Sequence, residues 1–88
     1  MPHIIVKLWP GKSDEQKRKL SDHIVQGLTS ILSYGPDSVS VGFEEVCSHE
    51  WTRQVYEPDI LGNWDNLTKV PGYGPGASQQ LDGGRDAL

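Results

Sequence analysis

The sequence predicts an α+β domain built on a single β-α-β unit, for three reasons. Residues 3–9 alternate in strand period, which places the apolar side chains of Ile4, Val6 and Leu8 on one side. A stretch with apolar residues at helical spacing follows, and a second alternating stretch comes after it. Because a helix-length crossover joins the two strands, we expect them to lie parallel, with a right-handed connection.

The first strand is predicted from His3 to Trp9, and Pro10-Gly11 ends it. Ser13 and Gln16 then have the pattern of a capping box, in which each side chain bonds the backbone N–H of the other residue. A helix of about five turns is expected from there. Its apolar stripe is expected to cover the apolar side of the first strand, and its members are Leu20, Ile24, Val25, Leu28, Ile31 and Leu32.

The second strand is predicted from Val39 to Glu44, after the turn residues 34–38. A sheet of two strands with one helix does not stand alone. In addition, a chain of 88 residues buries only about 60% of the surface that its unfolded form exposes. We therefore expect a second subunit, rather than further strands from the C-terminal part, to complete the sheet.

The C-terminal part is predicted to be helical and then flexible. Residues 48–67 carry apolar side chains at helical spacing, and Pro58 among them interrupts or restarts the helix, since proline suits a first helical position. The Gly- and Pro-rich residues 70–76 end this helix. The predicted domain therefore covers residues 1–75, and residues 76–88 are expected to form a flexible tail.

Composition and charge exclude several classes of protein. The net charge of −4 and the scattered Lys and Arg residues do not form the basic footprint of a nucleic-acid-binding protein. Neither a transmembrane helix nor a signal peptide is predicted. The single cysteine, Cys47, fits a reducing compartment, and His3, His23 and His49 lack partners at metal-ligand spacing. We expect a cytoplasmic protein that uses no metal, cofactor, nucleic acid or membrane.

A proline follows the initiator methionine directly. Removal of Met1 would make Pro2 a free secondary amine, a group that no other position in a chain provides. The ordinary pKa of an α-amino group is about 8, and apolar surroundings disfavour its protonated form. Pro2 is thus a candidate general base near neutral pH, and the alternative is a proline tolerated at a strand start. His3, beside the amine, is expected to be solvated or to lie at an interface.

Five stretches of the chain together carry a family resemblance. They are the Met-Pro start, Gly11-Lys12-Ser13-Asp14-Glu15-Gln16-Lys17, Ser38-Val39-Ser40-Val41, Trp51 and Lys69-Val70-Pro71-Gly72-Tyr73. Together they resemble the tautomerase superfamily, in particular the 4-oxalocrotonate tautomerase group, and the closing segment looks like its PptA branch, the small phenylpyruvate tautomerases. The likeness covers about residues 1–74 and implies the tautomerase fold, with a helical C-terminal segment and a sheet completed by oligomerisation.

The resemblance implies roles for four residues. The amino-terminal proline of the family moves a proton between carbon and oxygen of an enol or 2-oxo acid, so Pro2 is the expected catalytic base. The arginine of the strand-helix loop falls on Lys12, which keeps the positive charge but not the bidentate geometry. The second arginine falls on the uncharged Ser40, and the aromatic wall of the site falls on Trp51. The implied substrate is therefore a monocarboxylate such as phenylpyruvate rather than a dicarboxylate.

The assembly and the reaction each have alternatives. The PptA branch implies a homodimer, and the classical enzymes imply a hexamer. A hydratase or dehalogenase would use Pro2 to activate water, with Glu44, Glu45 or Glu50 available to position it. A non-catalytic oligomeric binding protein with the same fold is the third possibility. Arg53 is a second candidate anion contact or an exposed helix charge.

Overall fold

The computed structural model describes residues 1–80 of the chain. They belong to two compact units, Met1–Trp51 and Thr52–Leu88. The single domain predicted over residues 1–75 spans both units and stays a prediction. None of the helices within residues 1–80 has the length and apolar character needed to cross a membrane.

The first unit is the predicted β-α-β unit. Strand β1 spans His3–Leu8, helix α1 spans Asp14–Leu32, and strand β2 spans Ser40–Glu45. The two strands pair in parallel, with His3 opposite Ser40 and Leu8 opposite Glu45. The predicted fold class and the parallel strand order are confirmed.

Both ends of α1 are capped. The Ser13 hydroxyl accepts a hydrogen bond from the Gln16 N–H at 3.1 Å, and the Gln16 side chain accepts one from the Ser13 N–H at 2.9 Å. This confirms the predicted capping box. At the other end, Ser33 takes the left-handed conformation with φ of 65°, and its N–H donates to the Thr29 carbonyl at 3.1 Å. The helix therefore ends before the turn residues that the sequence suggests as its stop.

The apolar stripe of α1 is only partly covered within the chain. Leu8 and Phe43 line one cavity together with Leu20 of α1, which identifies the sheet face toward the helix. Ile31, however, is 79% exposed. A helix of 19 residues is roughly 28 Å long, whereas a six-residue strand is roughly 20 Å long, so the helix is longer than the sheet beneath it.

Residues 52–66 of the second unit are helical, as predicted, but they do not form α-helices. A π-helix spans Thr52–Ile60, and a 3₁₀ helix spans Leu61–Asn66. Pro58 lies inside the π-helix and not at a first helical position. Because proline has no N–H, it cannot donate the backbone bond that a regular α-helix needs at that point.

The buried side chain of Tyr56 holds residues 73–76 in place through two hydrogen bonds. Its hydroxyl donates to the Tyr73 carbonyl at 3.2 Å and accepts from the Gly76 N–H at 3.0 Å. Helix α2 begins beside this contact and spans Pro75–Gln80. Residues 76–80 were expected in a flexible tail, and α2 includes them; the tail stays a prediction. Residues 81–88 of the predicted tail lie outside the described residues.

Candidate active site

Pro2 is fixed at the end of the sheet where both strands begin. Its carbonyl accepts a hydrogen bond from the Ser40 N–H at 3.2 Å, which extends the β1–β2 ladder by one residue. Pro2 itself is half-buried, whereas Met1 is 95% exposed. Removal of Met1 would therefore leave the proline nitrogen at the edge of the sheet, on a residue that the ladder still holds.

The Ser40 side chain contacts a histidine. Ser40 and His3 face each other in the strand register, and the Ser40 Oγ lies 2.6 Å from the His3 Nδ1. Both residues are exposed in the chain. The position that the resemblance assigns to substrate binding thus holds a neighbour of Pro2 in place.

Lys12 lies in the loop after β1, at the opposite edge of the sheet. The loop turns at Gly11, whose φ of 124° belongs to the left-handed region that favours glycine. Lys12 borders a cavity of about 260 Å³. The cavity combines polar and cationic groups with apolar walls, and its other lining residues are Leu8, Gln16, Lys17, Leu20 and Phe43. Such a lining fits a small acid that carries an apolar group.

The two lysines of this cavity differ in their pairing. The Lys17 Nζ lies 2.7 Å from the Glu45 Oε2, so the charge of Lys17 is matched within the chain. Lys12 is exposed, and it has no ion-pair partner among residues 1–80. Lys12 is therefore the cation of this cavity that remains available for a ligand carboxylate.

Trp51 follows the end of β2 through a short 3₁₀ turn, Ser48–Glu50, and is half-buried. Because the strands are parallel, the residues that follow β1 and β2 emerge at the same edge of the sheet. Lys12 and Trp51 therefore both come after strands that end at that edge, whereas Pro2 and Ser40 lie at the opposite edge, where the strands begin.

Within one chain, the four predicted residues do not form a single site. Strand β1 separates the two edges, and its six residues span roughly 20 Å. The structure places Pro2 against Ser40 at one edge, and it places Lys12 with its cavity at the other.

Several cavity residues were not singled out by the sequence as site residues. Phe43 and Leu20 belong to apolar patterns that predict core packing. Nothing in the sequence indicates that they also line the cavity beside Lys12. Gln16 is recognisable only as a cap. Arg53, the other candidate anion contact, lies on the π-helix of the second unit. Within residues 1–80, no group of three or more His, Cys, Asp or Glu side chains is placed to hold a metal ion.

Comparison with protein families and curated proteins gives consistent results. The family model described as Tautomerase enzyme matches residues 2–56. A probable tautomerase of Xylella fastidiosa is 42% identical over 78 residues, which are 89% of this chain and 95% of that protein. Tautomerase PptA of Pectobacterium carotovorum is 38% identical over 74 residues, which are 83% of this chain and 97% of that protein.

Solved structures show the same fold. YwhB, a homologue of 4-oxalocrotonate tautomerase, superposes with a TM-score of 0.51 at 28% identity, over 52% of this chain and 75% of YwhB. A 4-oxalocrotonate tautomerase isozyme from Methylibium petroleiphilum gives a TM-score of 0.52 at 21% identity, over 91% of this chain and 98% of that one. The fold is the α+β tautomerase fold. On the family match and the curated relatives together, this chain belongs to the tautomerase family, is similar to the PptA proteins within it, and is an isomerase.

Proposed function

We propose that the chain catalyses keto-enol interconversion of a 2-oxo monocarboxylic acid such as phenylpyruvate, with Pro2 as the general base. The observation that carries this proposal is the position of Pro2. The Ser40 N–H holds its carbonyl at 3.2 Å, and Met1 beside it is 95% exposed. An amine generated there would be both fixed in direction and open to a substrate.

The proposed reaction is a proton transfer with no net change in composition. The neutral nitrogen of Pro2 takes the proton of the enol hydroxyl, and the C2–O bond gains double-bond character. The electrons of the C2–C3 double bond then take up the same proton at C3, which regenerates the amine. Proton transfer by a positioned group typically contributes about 10²–10⁴-fold to the rate.

The separation of Pro2 from Lys12 supports a site shared between two chains. In an antiparallel pair of chains, the edge that carries Pro2 in one chain lies beside the edge that carries Lys12 in the other. Each chain would then supply one half of two equivalent sites, as a closed two-fold assembly requires. We propose a homodimer of this kind, with a hexamer as the alternative. Apolar side chains available to such contacts include Ile5, which is 53% exposed, and Trp9, which is 57% exposed.

The cavity beside Lys12 supports a monocarboxylate substrate. Lys12 supplies a single available cation there, and Leu8, Leu20 and Phe43 supply apolar walls. Ser40 carries no charge, so the Pro2 edge adds no second carboxylate-binding arginine. An acid with one carboxylate and an aryl group matches this distribution better than a dicarboxylate does. Trp51 is proposed as an aromatic wall of the same site.

The alternatives receive less support from the structure. Glu45, one of the carboxylates that a hydratase could use to position water, already pairs with Lys17 at 2.7 Å. No contact among the described residues favours hydration or a purely binding role. A cytoplasmic location stays a prediction of the sequence.

Substitution of Lys12 tests the substrate assignment. We expect Lys12→Gln to raise KM for the phenylpyruvate enol by roughly tenfold, since a hydrogen bond to a charged group contributes about 1.5–3 kcal/mol and Lys12 is exposed. Lys12→Arg should keep KM near the wild-type value, because the positive charge remains. Ketonisation of the enol, followed by its ultraviolet absorbance, gives both kinetic constants.

Lys19→Gln is the matched control for this test. Its side chain is 78% exposed and lies 3.8 Å from the Glu15 carboxylate on the outer part of α1, so its removal should leave KM unchanged. Equal KM values for Lys12→Gln and Lys19→Gln would exclude Lys12 as the carboxylate contact. An absence of any turnover above buffer by the Met1-free protein would overturn the proposed activity on this substrate.

A further inference from the structure

The side chains of His3 and Ser40 contact each other, and the proposed mechanism assigns no role to this contact. The His3 Nδ1 and the Ser40 Oγ are 2.6 Å apart, a short distance for a hydrogen bond between a ring nitrogen and a hydroxyl. Within residues 1–80, the Ser40 hydroxyl is the one hydrogen-bond partner of the imidazole. The other ring nitrogen, Nε2, therefore has no protein partner there.

Ser40 ties this histidine to Pro2. Its backbone N–H donates to the Pro2 carbonyl at 3.2 Å, while its side chain meets the His3 ring. Pro2 and His3 are also consecutive, so their Cα atoms are about 3.8 Å apart. One residue of β2 thus fixes both the amine-bearing residue and the imidazole next to it.

The hydrogen bond can run in either direction, depending on the tautomer of the ring. When the Ser40 hydroxyl donates its hydrogen to Nδ1, the neutral imidazole carries its proton on Nε2. In that tautomer, Nε2 is a hydrogen-bond donor at the exposed edge of the sheet.

During ketonisation, negative charge grows on the oxygen of C2 as the enol loses its proton. A donor directed at that oxygen stabilises the transition state more than the ground state. The carboxylate of the substrate is assigned to Lys12, which leaves the C2 oxygen without a partner. In the tautomer with Nε2 protonated, His3, the residue after Pro2, offers an N–H donor for this oxygen.

We propose that His3, oriented by Ser40, donates the Nε2–H to the C2 oxygen of the 2-oxo acid while Pro2 moves the proton. His3 is then a catalytic residue, and Ser40 is a positioning residue rather than a substrate ligand. This inference rests on the proposed function, because it assigns one more group of the same site. It replaces the solvated or interface role that the sequence suggests for His3.

Four variants and one double variant test this assignment. His3→Leu removes the donor and should lower kcat by roughly tenfold or more, with KM changed little, because the lost interaction belongs to the transition state. His3→Gln keeps an N–H donor and should retain more activity than His3→Leu. Ser40→Ala should lower kcat less than His3→Leu does, and Ser40→Thr, which keeps the hydroxyl, should restore it.

The double variant His3→Leu with Ser40→Ala separates positioning from direct binding. If Ser40 acts only through His3, the double variant should be no slower than His3→Leu alone. Independent losses that multiply in the double variant would show that Ser40 contacts the substrate itself, which would overturn the assignment. Equal kcat for His3→Leu and the wild type would overturn it as well. Both side chains are exposed, and circular dichroism would confirm that each variant folds.

A measurement without turnover distinguishes this inference from the proposed function. Phenylglyoxylate is a 2-oxo acid with no hydrogen on C3, so it can bind but cannot tautomerise. Titrated into ¹⁵N-labelled, Met1-free protein, it should shift the His3 Nε2 resonance, and the free protein should show the Nε2–H tautomer. Such a shift without turnover of phenylpyruvate would refute the proposed activity but keep the contact. Normal turnover of phenylpyruvate with an unmoved Nε2 resonance would refute the contact and keep the activity.

Discussion

A fixed N-terminal extension ahead of Pro2 is expected to lower kcat/KM for the phenylpyruvate enol by about 100-fold or more. An extension keeps the Pro2 nitrogen inside a peptide bond, where resonance delocalises its lone pair. The nitrogen then cannot accept a proton at any pH used for the assay. The measurement compares the extended protein with protein whose mass shows that Met1 is absent.

The control for this prediction is an extension of the same length after Leu88. It adds the same mass and composition but leaves the Pro2 nitrogen free, so kcat/KM should stay at the value of the Met1-free protein. Equal loss from both extensions would point to disturbed folding or assembly. Full activity of the protein extended at its N-terminus would exclude the amine of Pro2 as the base.

The second large effect concerns stability and not activity. Gly74→Ala is expected to lower the free energy of unfolding by about 2–4 kcal/mol, through backbone strain and overpacking together. Gly74 has φ of 84°, and a Cβ built on it would lie 2.3 Å from the Tyr56 ring and hydroxyl. Tyr56 is only 3% exposed, so its ring has little room to move. Chemical denaturation of the purified variant gives the change.

Gly72→Ala is the matched control, two residues earlier in the same loop. A Cβ at Gly72 meets nothing within 4 Å, and its φ is not in the left-handed region. The unfolding free energy of this variant should stay within about 0.5 kcal/mol of the wild type. Similar losses in the two variants would show that the loop does not pack on Tyr56 as described.

The first unit could be predicted because its signals are local. The alternation in β1, the spacing in α1 and the reciprocal Ser13–Gln16 cap all lie within a few residues of one another. The second unit was predicted less well. Its end depends on Tyr56, whose hydroxyl meets backbone atoms of Tyr73 and Gly76, 17 and 20 positions later in the chain. A contact between residues so far apart leaves no periodic pattern in the sequence. The sequence therefore does not predict α2.

Some features of the candidate site could also be predicted from the sequence, and others could not. Pro2 was a candidate base from its position after Met1, whereas the roles of Lys12, Ser40 and Trp51 came from a resemblance. Parallel strands alone imply that Pro2 and Lys12 lie at opposite edges. The pairing of His3 with Ser40 depends on strand register, since a slip by one residue would turn the Ser40 side chain to the other face. The sequence predicts that the strands pair, but it does not predict their register. The contact of Ser40 with His3 is therefore known only from the structure, and the role of Ser40 in substrate binding stays a prediction.

A pH-rate profile shows whether the Pro2 amine is the base. The profile is measured for ketonisation of the phenylpyruvate enol by Met1-free protein, beside Pro2→Ala processed in the same way. Activity should rise as the amine loses its proton, with a midpoint below about pH 8, the ordinary pKa of an α-amino group, and this rising limb should largely disappear in Pro2→Ala. A rate that equals that of buffer, or a profile unchanged in Pro2→Ala, would contradict the account.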